Sequence, residues 1–441
     1  MSSFQLLIEL GGWFLFVIWA VMAGIPSLWF IGRSLKRMSD RVPEPDSWPT
    51  VSVVVPARDE GHKIEAGLKS LLASDYPNLE VIALDDRSRD ETGAIMDRLA
   101  ENPLQDEVRT PPSLPRWSWA SALRAVLFGT KQEQDVVQKP ANHRDKLGGV
   151  SASTADVRLH VIHITELPDG WLGKNHALQV GQQRSTGEWI LFTDGDVVYQ
   201  PDTISRSVRY AVAARLDHLP MYPSIESEGI FEAAFVAAFG VIFAAGTQPW
   251  LVPTRWMRAY AGVGAFNLVR RSALERANGF EPIRLDILDD VKLGKMLKQT
   301  GSKAEVLRSG DAIRIRWQQS AWACITGLEK NAFASANYSI RELLIICGVT
   351  CAVFCGPLAG TLFAGNARTG YVAAAVLSHL LFGFSAQLFG HSFFLFPMLV
   401  PAGLAFVFAF LRSGWITLRQ GGVRWRDTFY PLELLRRNIY Q

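Results

Sequence analysis

Long apolar runs near both ends of the chain constrain its fold more than any other feature. The first run, Phe4 to Ile31, exceeds the ~18 residues that a helix needs to cross a bilayer. The basic residues that follow it are Arg33, Lys36, Arg37 and Arg41. A cleaved signal peptide would carry its positive charge before the apolar run. We therefore expect an uncleaved membrane anchor, after which the chain lies in the cytoplasm.

Further apolar runs near the carboxyl end create a conflict over topology. They are Leu343 to Ala364, Tyr371 to Phe389 and Phe393 to Leu411, and the tail beyond them is rich in arginine. One anchor and three later crossings would place that basic tail outside the cell, against the positive-inside rule. Either one run is re-entrant, broken by Pro357 or Pro397, or an additional segment takes part in the membrane. We expect a cytoplasmic tail and an even number of crossings near the carboxyl end.

The additional segment is an apolar stretch inside the region of soluble type. Gly229 to Trp250 is long enough to cross a membrane, but it carries Glu232 and ends in a region with Gly and Pro. A buried or interfacial helix fits better, because the motifs on either side of it point to one site.

Between the apolar runs the pattern is that of a soluble α/β domain. Strand-type runs begin at Thr50, Glu80, Arg158 and Trp189, with helical segments between them. Strands that alternate with helices favour a mostly parallel sheet covered on both faces. We predict an anchor and basic segment over residues 1–47, an α/β domain over 48–341, and a membrane bundle with its basic tail over 342–441.

An insertion at about residues 103–156 interrupts this pattern. A stretch of that length without periodic structure is unusual inside a compact domain and is either functional or disordered. Its segment Arg116 to Gly129 contains Trp117, Trp119 and Leu123. This segment either lies on a membrane as an amphipathic helix or belongs to a mobile surface insertion.

Charge and cysteine content exclude some classes of function. The net charge of +3 is too small to indicate nucleic acid as a partner. Basic residues cluster beside apolar runs, which favours a membrane surface. The chain has 4 cysteines, and they form no CxxC pair. We interpret them as small packing residues and not as zinc ligands or a disulfide.

One pair of acidic residues directly follows a strand-type run. Asp194 and Asp196 come after the run Trp189 to Phe192, with a single glycine between them. Like charges this close raise each other's pKa unless a cation shares the space. Alternation along an extended chain turns both carboxylates the same way, so both can face one Mg²⁺ or Mn²⁺. A pair of solvated turn aspartates is the alternative.

Two further acidic pairs favour the metal interpretation. Asp85 and Asp86 end the second strand, and Asp289 and Asp290 open a helix. Ligands of such sheets bind at the carboxyl ends of the strands, where the first of these pairs falls. Acids in a first helical turn can also serve only the helix dipole. A metal with a spare carboxylate could bind a diphosphate and deprotonate a hydroxyl.

Taken in order, the motifs resemble those of a known family. VVVPARDE, LDDRSRD, GWLGKNHAL, FTDGDV, GVGAFNLVRR, LDDVKLGKML and WQQSAW occur in the order found in family 2 glycosyltransferases with the GT-A fold. The resemblance extends over about Val51 to Asn331 outside the insertion. It is greatest to a membrane-anchored branch that includes hopanoid-associated, carotenoid-ester and ceramide glycosyltransferases. The apolar runs near the carboxyl end and VRWRDTFY, residues 423–430, also look like that branch.

The resemblance implies a role for each candidate residue. The nucleotide pocket would be lined by Pro56, Ala57, Arg58 and Glu60, with Asp86 on the base or ribose and Asp85 beside it. Mn²⁺ or Mg²⁺ on the diphosphate would be held by Asp194 and Asp196, and the phosphates would be contacted by Lys174. Asp290 would be the general base that deprotonates the acceptor hydroxyl. Further substrate-binding residues would be Asp289, Gln318 and Trp322.

The implied reaction is an inverting, metal-dependent transfer of a sugar from a nucleotide-diphosphate sugar, a UDP-sugar above all, to a hydroxyl of a membrane lipid. Processive relatives carry Q-x-x-R-W, but Ala321 stands where that arginine would be, which argues against a polymerising enzyme. We expect a multi-pass protein of the bacterial inner membrane with its catalytic domain in the cytoplasm. The alternatives are sugar transfer to a polyprenyl phosphate, and a non-catalytic membrane protein that binds nucleotide sugars.

Overall fold

The computed structural model describes residues 2–102 and 158–440 of the protein. The strands are β1 Val51–Ala57, β2 Leu79–Asp86, β3 Arg158–Ile164, β4 Trp189–Phe192, β5 Val197–Tyr199, β6 His218–Ile225, β7 Asn267–Arg270, β8 Leu307–Ile315, β9 Gly422–Trp425 and β10 Thr428–Pro431. The α-helices are α1 Ser3–Trp19, α2 Ile25–Gly32, α3 Leu35–Ser39, α4 Gly61–Leu72, α5 Thr92–Glu101, α6 Gly173–Arg184, α7 Thr203–Ala213, α8 Ile230–Thr247, α9 Arg271–Arg276, α10 Asp289–Gln299, α11 Ala321–Gly327, α12 Ala332–Ser335, α13 Ile340–Phe363, α14 Thr369–Leu388, α15 Leu399–Gln420 and α16 Leu432–Arg437. The predicted insertion and its segment Arg116 to Gly129 lie outside the described residues.

The domain is built on an 8-stranded sheet in the order β3-β2-β1-β4-β7-β6-β8-β5. The first four strands in that order are parallel, as the alternation of strands and helices predicts. β7 then lies antiparallel between β4 and β6, and β5 lies antiparallel to β8. The sheet is therefore parallel in its first half and mixed in its second half.

Strands β1, β2 and β4 of the parallel half are buried on both faces, which explains their apolar runs, whereas the edge strand β3 is partly exposed. In β1, Val53 and Val55 join one core cluster with the helices α4 and α5. Val54 points to the opposite face and packs with Leu178 of α6 and Leu297 of α10. The 4 cysteines are free, and Cys324 and Cys347 are buried, as expected for packing residues.

Helix α8 is the apolar segment inside the domain. The chain enters it from β6 and returns from it to β7, and both strands belong to the sheet of the domain. The strands before and after it, β6 and β7, are neighbours that pair His218 with Val269. The chain returns over residues 248–266 without another helix, and an unpaired backbone cannot cross hydrocarbon. α8 nevertheless shares a buried cluster with Trp19, Phe354 and Phe382 of the membrane helices. This agrees with the expected buried or interfacial helix.

Five helices of the described residues are long and apolar enough to cross a membrane: Ser3–Gly32, α8, α13, α14 and Phe393–Gln420. A π-helical turn, Ala20–Gly24, joins α1 to α2. α13 leads away from the domain, and Pro357 lies inside it without ending it. α14 leads back, because Gly370 at its start touches α1 at Trp13 and Leu388 at its end accepts a 2.5 Å hydrogen bond from Arg308 of β8.

The last apolar run turns back within the helical bundle. After α14 the chain turns back inward through a 3₁₀ segment, Phe393–Met398, which contains Pro397. α15 then runs antiparallel to α13: Gly403 faces Phe354 in the middle of α13, and Gly414 faces Leu343 at its start. Both ends of the run therefore lie on the domain's side of the helical bundle, which is compatible with the re-entrant alternative, and its course through a membrane stays a prediction.

The tail beyond α15 lies against the domain. The backbone N–H of Tyr440 donates to Asp286 at 2.9 Å, and its carbonyl accepts from Lys292 at 2.6 Å. Arg436 donates to the carbonyl of Tyr338 at 2.7 Å. The basic tail and the domain consequently lie on the same side of the helical bundle, and the even number of crossings stays a prediction.

Candidate active site

Asp194 and Asp196 follow β4, and each carboxylate is paired with a different lysine. Asp194 Oδ1 lies 2.8 Å from Nζ of Lys174, and Asp196 Oδ2 lies 3.0 Å from Nζ of Lys63. Burial, followed by the charge of Asp194, raises the pKa of Asp196, and Lys63 opposes this shift. The two aspartates are thus close enough to influence each other, and the charge of each is balanced by a cation.

Lys174 lies in the first turn of α6 and joins two of the predicted acidic pairs. Its Nζ is 2.8 Å from Asp194 and 3.1 Å from Asp289. Burial disfavours the charge on this ammonium, but Asp194, Asp289 and Asp290 outweigh it and raise the pKa of Lys174 well above its usual value. Lys174 therefore stays protonated, and its two ion pairs link the turn after β4 to the first residue of α10.

Asp290 is held at the start of α10 by two backbone donors. Gly264 N–H donates to its Oδ2 and Val291 N–H to its Oδ1, both at 2.8 Å. Burial, followed by the charge of Asp289, raises the pKa of Asp290 to about 7. A carboxylate with such a pKa can accept and release a proton near neutral pH. Asp290 also lines a cavity together with Lys174 and Asp194.

Glu60 brings a third acidic side chain to the Asp194 and Asp196 turn. Burial, followed by the charges of Asp196 and Asp194, raises the pKa of Glu60 to about 7. Its Oε2 atom is buried and has no hydrogen-bond partner among the described residues. Arg58, two residues before it, lies 4.0 Å from Asp86. The predicted residues after β1 and β4 therefore meet at one edge of the sheet.

The residues at the ends of β1 and β2 fall into two groups. Pro56 and Ala57 are buried and pair with Leu84 and Asp85 in the sheet. Both carboxylate oxygens of Asp85 are engaged within the protein: one accepts a hydrogen bond from the Ser88 N–H at 3.0 Å, and the other lies 3.0 Å from His163 Nδ1. Asp86 contacts Arg87 at 2.8 Å and faces Gly173, at whose position a Cβ would lie 2.4 Å from its Oδ2. Asp86, and not Asp85, thus faces the start of α6.

Gln318 and Trp322 lie apart from the acidic cluster. The Gln318 amide packs beside Gly327, where a Cβ would lie 2.7 Å from its Nε2. The Trp322 side chain is 56% exposed and lies near Phe408 and Arg412 of α15. No contact to Asp194 or Asp290 is found for either residue in the described part, and their substrate-binding roles remain predictions.

The donor atoms near Asp194 and Asp196 suit a hard divalent cation. They are carboxylate oxygens, which Mg²⁺ and Mn²⁺ prefer, and the unpartnered Oε2 of Glu60 lies beside them. Residues 2–102 and 158–440 contain no preformed group of three or more His, Cys, Asp or Glu side chains that could hold a metal. A metal would therefore need further oxygens, and a bound diphosphate would supply them.

Sequence reasoning missed several residues of this site. Lys63 lies in α4, and Gly264 lies in a quoted motif to which no single role was given. Asp427, at the tip of the β9–β10 hairpin, lies 3.1 Å from both Arg58 and Arg89. Gly264 and Asp427 lie in the quoted motifs GVGAFNLVRR and VRWRDTFY, whereas Lys63 lies in none of the quoted motifs. The contact of Asp427 over 369 residues of sequence separation had no local signal.

Two family models match the chain. The model described as glycosyl transferase family 2 matches residues 52–126. The model described as glycosyl transferase family 21 matches residues 156–434, well over half of the chain. The chain belongs to glycosyl transferase family 21. This family 21 member is therefore a glycosyltransferase, and the predicted relation to family 2 is confirmed by the first match.

Two solved structures are among those that match this chain at low sequence identity. One is the mannosyltransferase PcManGT from Pyrobaculum calidifontis in complex with GDP-Man and Mn²⁺, with 17% identity over 93% of this chain and 99% of that one and a TM-score of 0.46. The other is S. aureus TarS 1–349 in complex with UDP-GlcNAc, with 14% identity over 86% of this chain and 94% of that one and a TM-score of 0.37. No match was found among curated proteins.

The family and the sheet together confirm the predicted fold class. The protein has a GT-A-type α/β domain with a sheet that is parallel at β3-β2-β1-β4, and apolar helices long enough to cross a membrane lie near both ends of the chain. The acidic pairs lie at the carboxyl ends of β2 and β4 and at the start of α10. Nothing in the family match assigns individual residues, so their roles are proposals.

Proposed function

We propose that this glycosyltransferase moves a sugar from a nucleotide-diphosphate sugar, a UDP-sugar above all, to a hydroxyl of a membrane lipid with inversion at the sugar carbon. The observation that carries the proposal is the position of Asp290. It lines the cavity shared with Lys174 and Asp194, and both of its oxygens are held by backbone N–H groups. The cavity thus places Asp290 beside Asp194, one of the two aspartates predicted to hold the metal on the donor.

Asp290 is the general base of this proposal. Its pKa of about 7 lets it take the proton of the acceptor hydroxyl as that oxygen forms its bond to the sugar carbon. The bond between that carbon and the outer phosphate breaks, and its electron pair stays on the phosphate oxygen. One displacement of this kind inverts the configuration, and no second carboxylate nucleophile is needed.

Asp194 and Asp196 would hold Mn²⁺ or Mg²⁺ together with oxygens of the diphosphate. When bound, such an ion supplies Lewis-acid stabilisation of the charge on the diphosphate. Lys174 and Lys63 pair with the two aspartates in the protein without a ligand. Pro56, Ala57, Arg58, Glu60 and Asp86 would line the nucleotide side of the site, next to the same turn.

The membrane bundle supports a lipid acceptor and a place at the cytoplasmic face of the bacterial inner membrane. α8 is part of the domain and is packed into the bundle, so the domain lies directly against the membrane segments. The basic residues after α2 and those of the tail are on the domain's side, as the positive-inside rule asks of a cytoplasmic domain. An acceptor that resides in the bilayer would then be within reach of Asp290.

Two rival functions make different predictions for Asp290. Transfer to a polyprenyl phosphate needs no base, because that acceptor is already anionic. A non-catalytic binding protein would hold a nucleotide sugar without turning it over. The paired charges around Lys174 are compatible with binding alone, so turnover has to be measured.

The test is sugar transfer by the detergent-purified protein with UDP-sugars and GDP-sugars, Mn²⁺ or Mg²⁺, and bacterial lipid extract. Asp290→Asn should keep donor binding and lose turnover by about 100-fold or more. Asp169→Asn is the control, because Asp169 is exposed in a turn before α6. Transfer to polyprenyl phosphate that survives Asp290→Asn would favour the first rival. Donor binding by the unaltered protein without transfer to any lipid would favour the second.

A further inference from the structure

The β9–β10 hairpin lies across the nucleotide side of the site, although it follows the membrane bundle in sequence. Its tip is Arg426 and Asp427, and Arg426 has a positive φ of 53°. Asp427 is fixed between Arg58 and Arg89, at 3.1 Å from each. This pair of contacts fastens the tip to the loops that follow β1 and β2.

The hairpin brings two cations toward the acidic cluster. Arg426 Nη2 lies 3.8 Å from Oε1 of Glu60, the side chain beside the Asp194 and Asp196 turn. The ammonium of Lys330, in the turn between α11 and α12, lies 3.9 Å above the ring of Trp425 in β9. Asp289 and Asp194 are near enough to Lys330 to affect its charge, as are Lys174 and Arg426.

Charge balance separates these two cations from the other cations of the site. Lys174 is paired with Asp194 and Asp289, and Lys63 is paired with Asp196. Arg87 is likewise paired with Asp86. If one of these side chains moved to bind an added anion, the aspartate that it pairs with now would be left without a counter-charge.

Lys330 and Arg426 carry charge that is not balanced in this way. Lys330 makes no ion pair among the described residues and rests on an aromatic ring instead. Burial, followed by the charge of Lys174, lowers the pKa of Lys330 to about 8, while Asp289 and Asp194 oppose this shift. Arg426 is paired with Glu60 at 3.8 Å, a longer contact than those that Lys174 and Lys63 make with their aspartates. An added anion would therefore improve the local charge balance.

We propose that Lys330 and Arg426 bind the outer phosphate of the donor diphosphate and hold it as the leaving group. This rests on the proposed sugar transfer and adds two residues to it. When the bond from the sugar carbon to the outer phosphate breaks, the electron pair remains on a phosphate oxygen that faces these cations. Charge-assisted hydrogen bonds from lysine and arginine are the strong type for such an oxygen.

The experiment measures nucleotide binding to the full-length protein in detergent with Mn²⁺, using isothermal titration calorimetry. The probes are UDP, UMP, GDP and GMP, so that the outer phosphate is present or absent on the same nucleoside. The variants are Lys330→Gln and Arg426→Gln. The matched controls are Lys295→Gln, a lysine over the rings of Tyr260 and Tyr440, and Arg424→Gln, on the same hairpin over Phe429.

We expect each variant to weaken binding of the nucleoside diphosphate by at least about tenfold and of the monophosphate by no more than about twofold. The controls should bind both as the unaltered protein does. Lys330→Arg keeps the charge and should restore most of the diphosphate affinity, which separates a phosphate contact from a packing role. Thermal unfolding of each variant shows whether it is folded.

Three results would overturn the inference. The inference is wrong if folded variants bind the nucleoside diphosphate with unaltered affinity. It is also wrong if the variants lose affinity equally for monophosphate and diphosphate, because the outer phosphate is then not the group contacted. Lys330→Arg that binds as weakly as Lys330→Gln would remove it for Lys330. If the unaltered protein transfers sugar in these cases, the proposed function stands and only the two cations are wrong. If the unaltered protein binds no nucleoside diphosphate, both proposals fail.

Discussion

The backbone N–H of Gly264 donates a 2.8 Å hydrogen bond to Oδ2 of Asp290. A Cβ atom at position 264 would lie 2.6 Å from Oδ2 of Asp194, closer than real Cβ contacts come. A side chain here would therefore push Asp194 or the backbone donor out of place. The glycine is needed because two acidic side chains of the site meet at its backbone.

Gly264→Ala should reduce sugar transfer by about 10- to 100-fold, because the added Cβ displaces Asp194, which is proposed to hold the metal. Steady-state transfer with a saturating donor checks this. Gly246→Ala is the matched control, because a Cβ there would meet nothing within 4 Å. Near-normal turnover by Gly264→Ala would show that the position of the Asp194 carboxylate beside residue 264 is not needed for catalysis.

Removal of divalent metal should abolish transfer, and Mn²⁺ or Mg²⁺ should restore it, if Asp194 and Asp196 bind the ion. Asp196→Asn should raise the Mn²⁺ concentration for half-maximal activity by at least about tenfold, since one of two protein carboxylates is lost. Mn²⁺ binding followed by electron paramagnetic resonance measures the same loss without turnover. Asp169→Asn should leave both unchanged. An unaltered metal requirement in Asp196→Asn would exclude this residue as a ligand.

His163 predicts a pH-dependent contribution to stability. Its ring contacts Asp85 and Asp97 at 3.0 Å each, and these hydrogen bonds raise the pKa of His163 in the folded protein. Because its pKa is higher in the folded protein, protonated His163 stabilises the fold. This stabilisation is complete at pH values below the unfolded-state pKa of about 6.5 and is lost as the pH rises through the folded-state pKa. The side chain is 45% exposed, so solvent screening keeps the effect small.

Thermal unfolding of the unaltered protein and of His163→Gln between about pH 6 and pH 9 measures this contribution. The difference in melting temperature should be largest at the acidic end and shrink toward the alkaline end. His62→Gln, on the exposed side of α4, is the control. A difference that grows with pH would contradict the sign.

The re-entrant alternative predicts the sidedness of three exposed positions. Ser47→Cys before β1 and Glu433→Cys in α16 should react with a membrane-impermeant thiol reagent from the same side of sealed vesicles. Asn366→Cys, between α13 and α14, should react only from the other side, because α13 leads away from the domain and α14 returns. The unaltered protein gives the background of its 4 own cysteines. Labelling of Glu433→Cys from the side of Asn366→Cys would mean that α15 crosses fully.

Local patterns in the sequence determined the individual helices and strands of this protein and the acidic residues at their ends. The lengths of the apolar runs, the alternation of strands with helices and the placing of Asp194 and Asp290 at element ends all depend on residues close together in the chain. Such patterns reflect burial of one or both faces of an element and need no knowledge of partners. The family resemblance added roles to these residues because motif order is also a property of the sequence alone.

Tertiary structure alone decided how the pieces meet. The antiparallel insertion of β7, the inward turn at Phe393–Met398 and the pairing of Lys174 with two separate aspartates are set by packing between distant segments. The hairpin that brings Arg426 over Glu60 follows the membrane bundle, far from that pocket in sequence. Contacts of this kind depend on which surfaces are left to bury and which charges remain to balance, and neither is determined until the whole chain has folded.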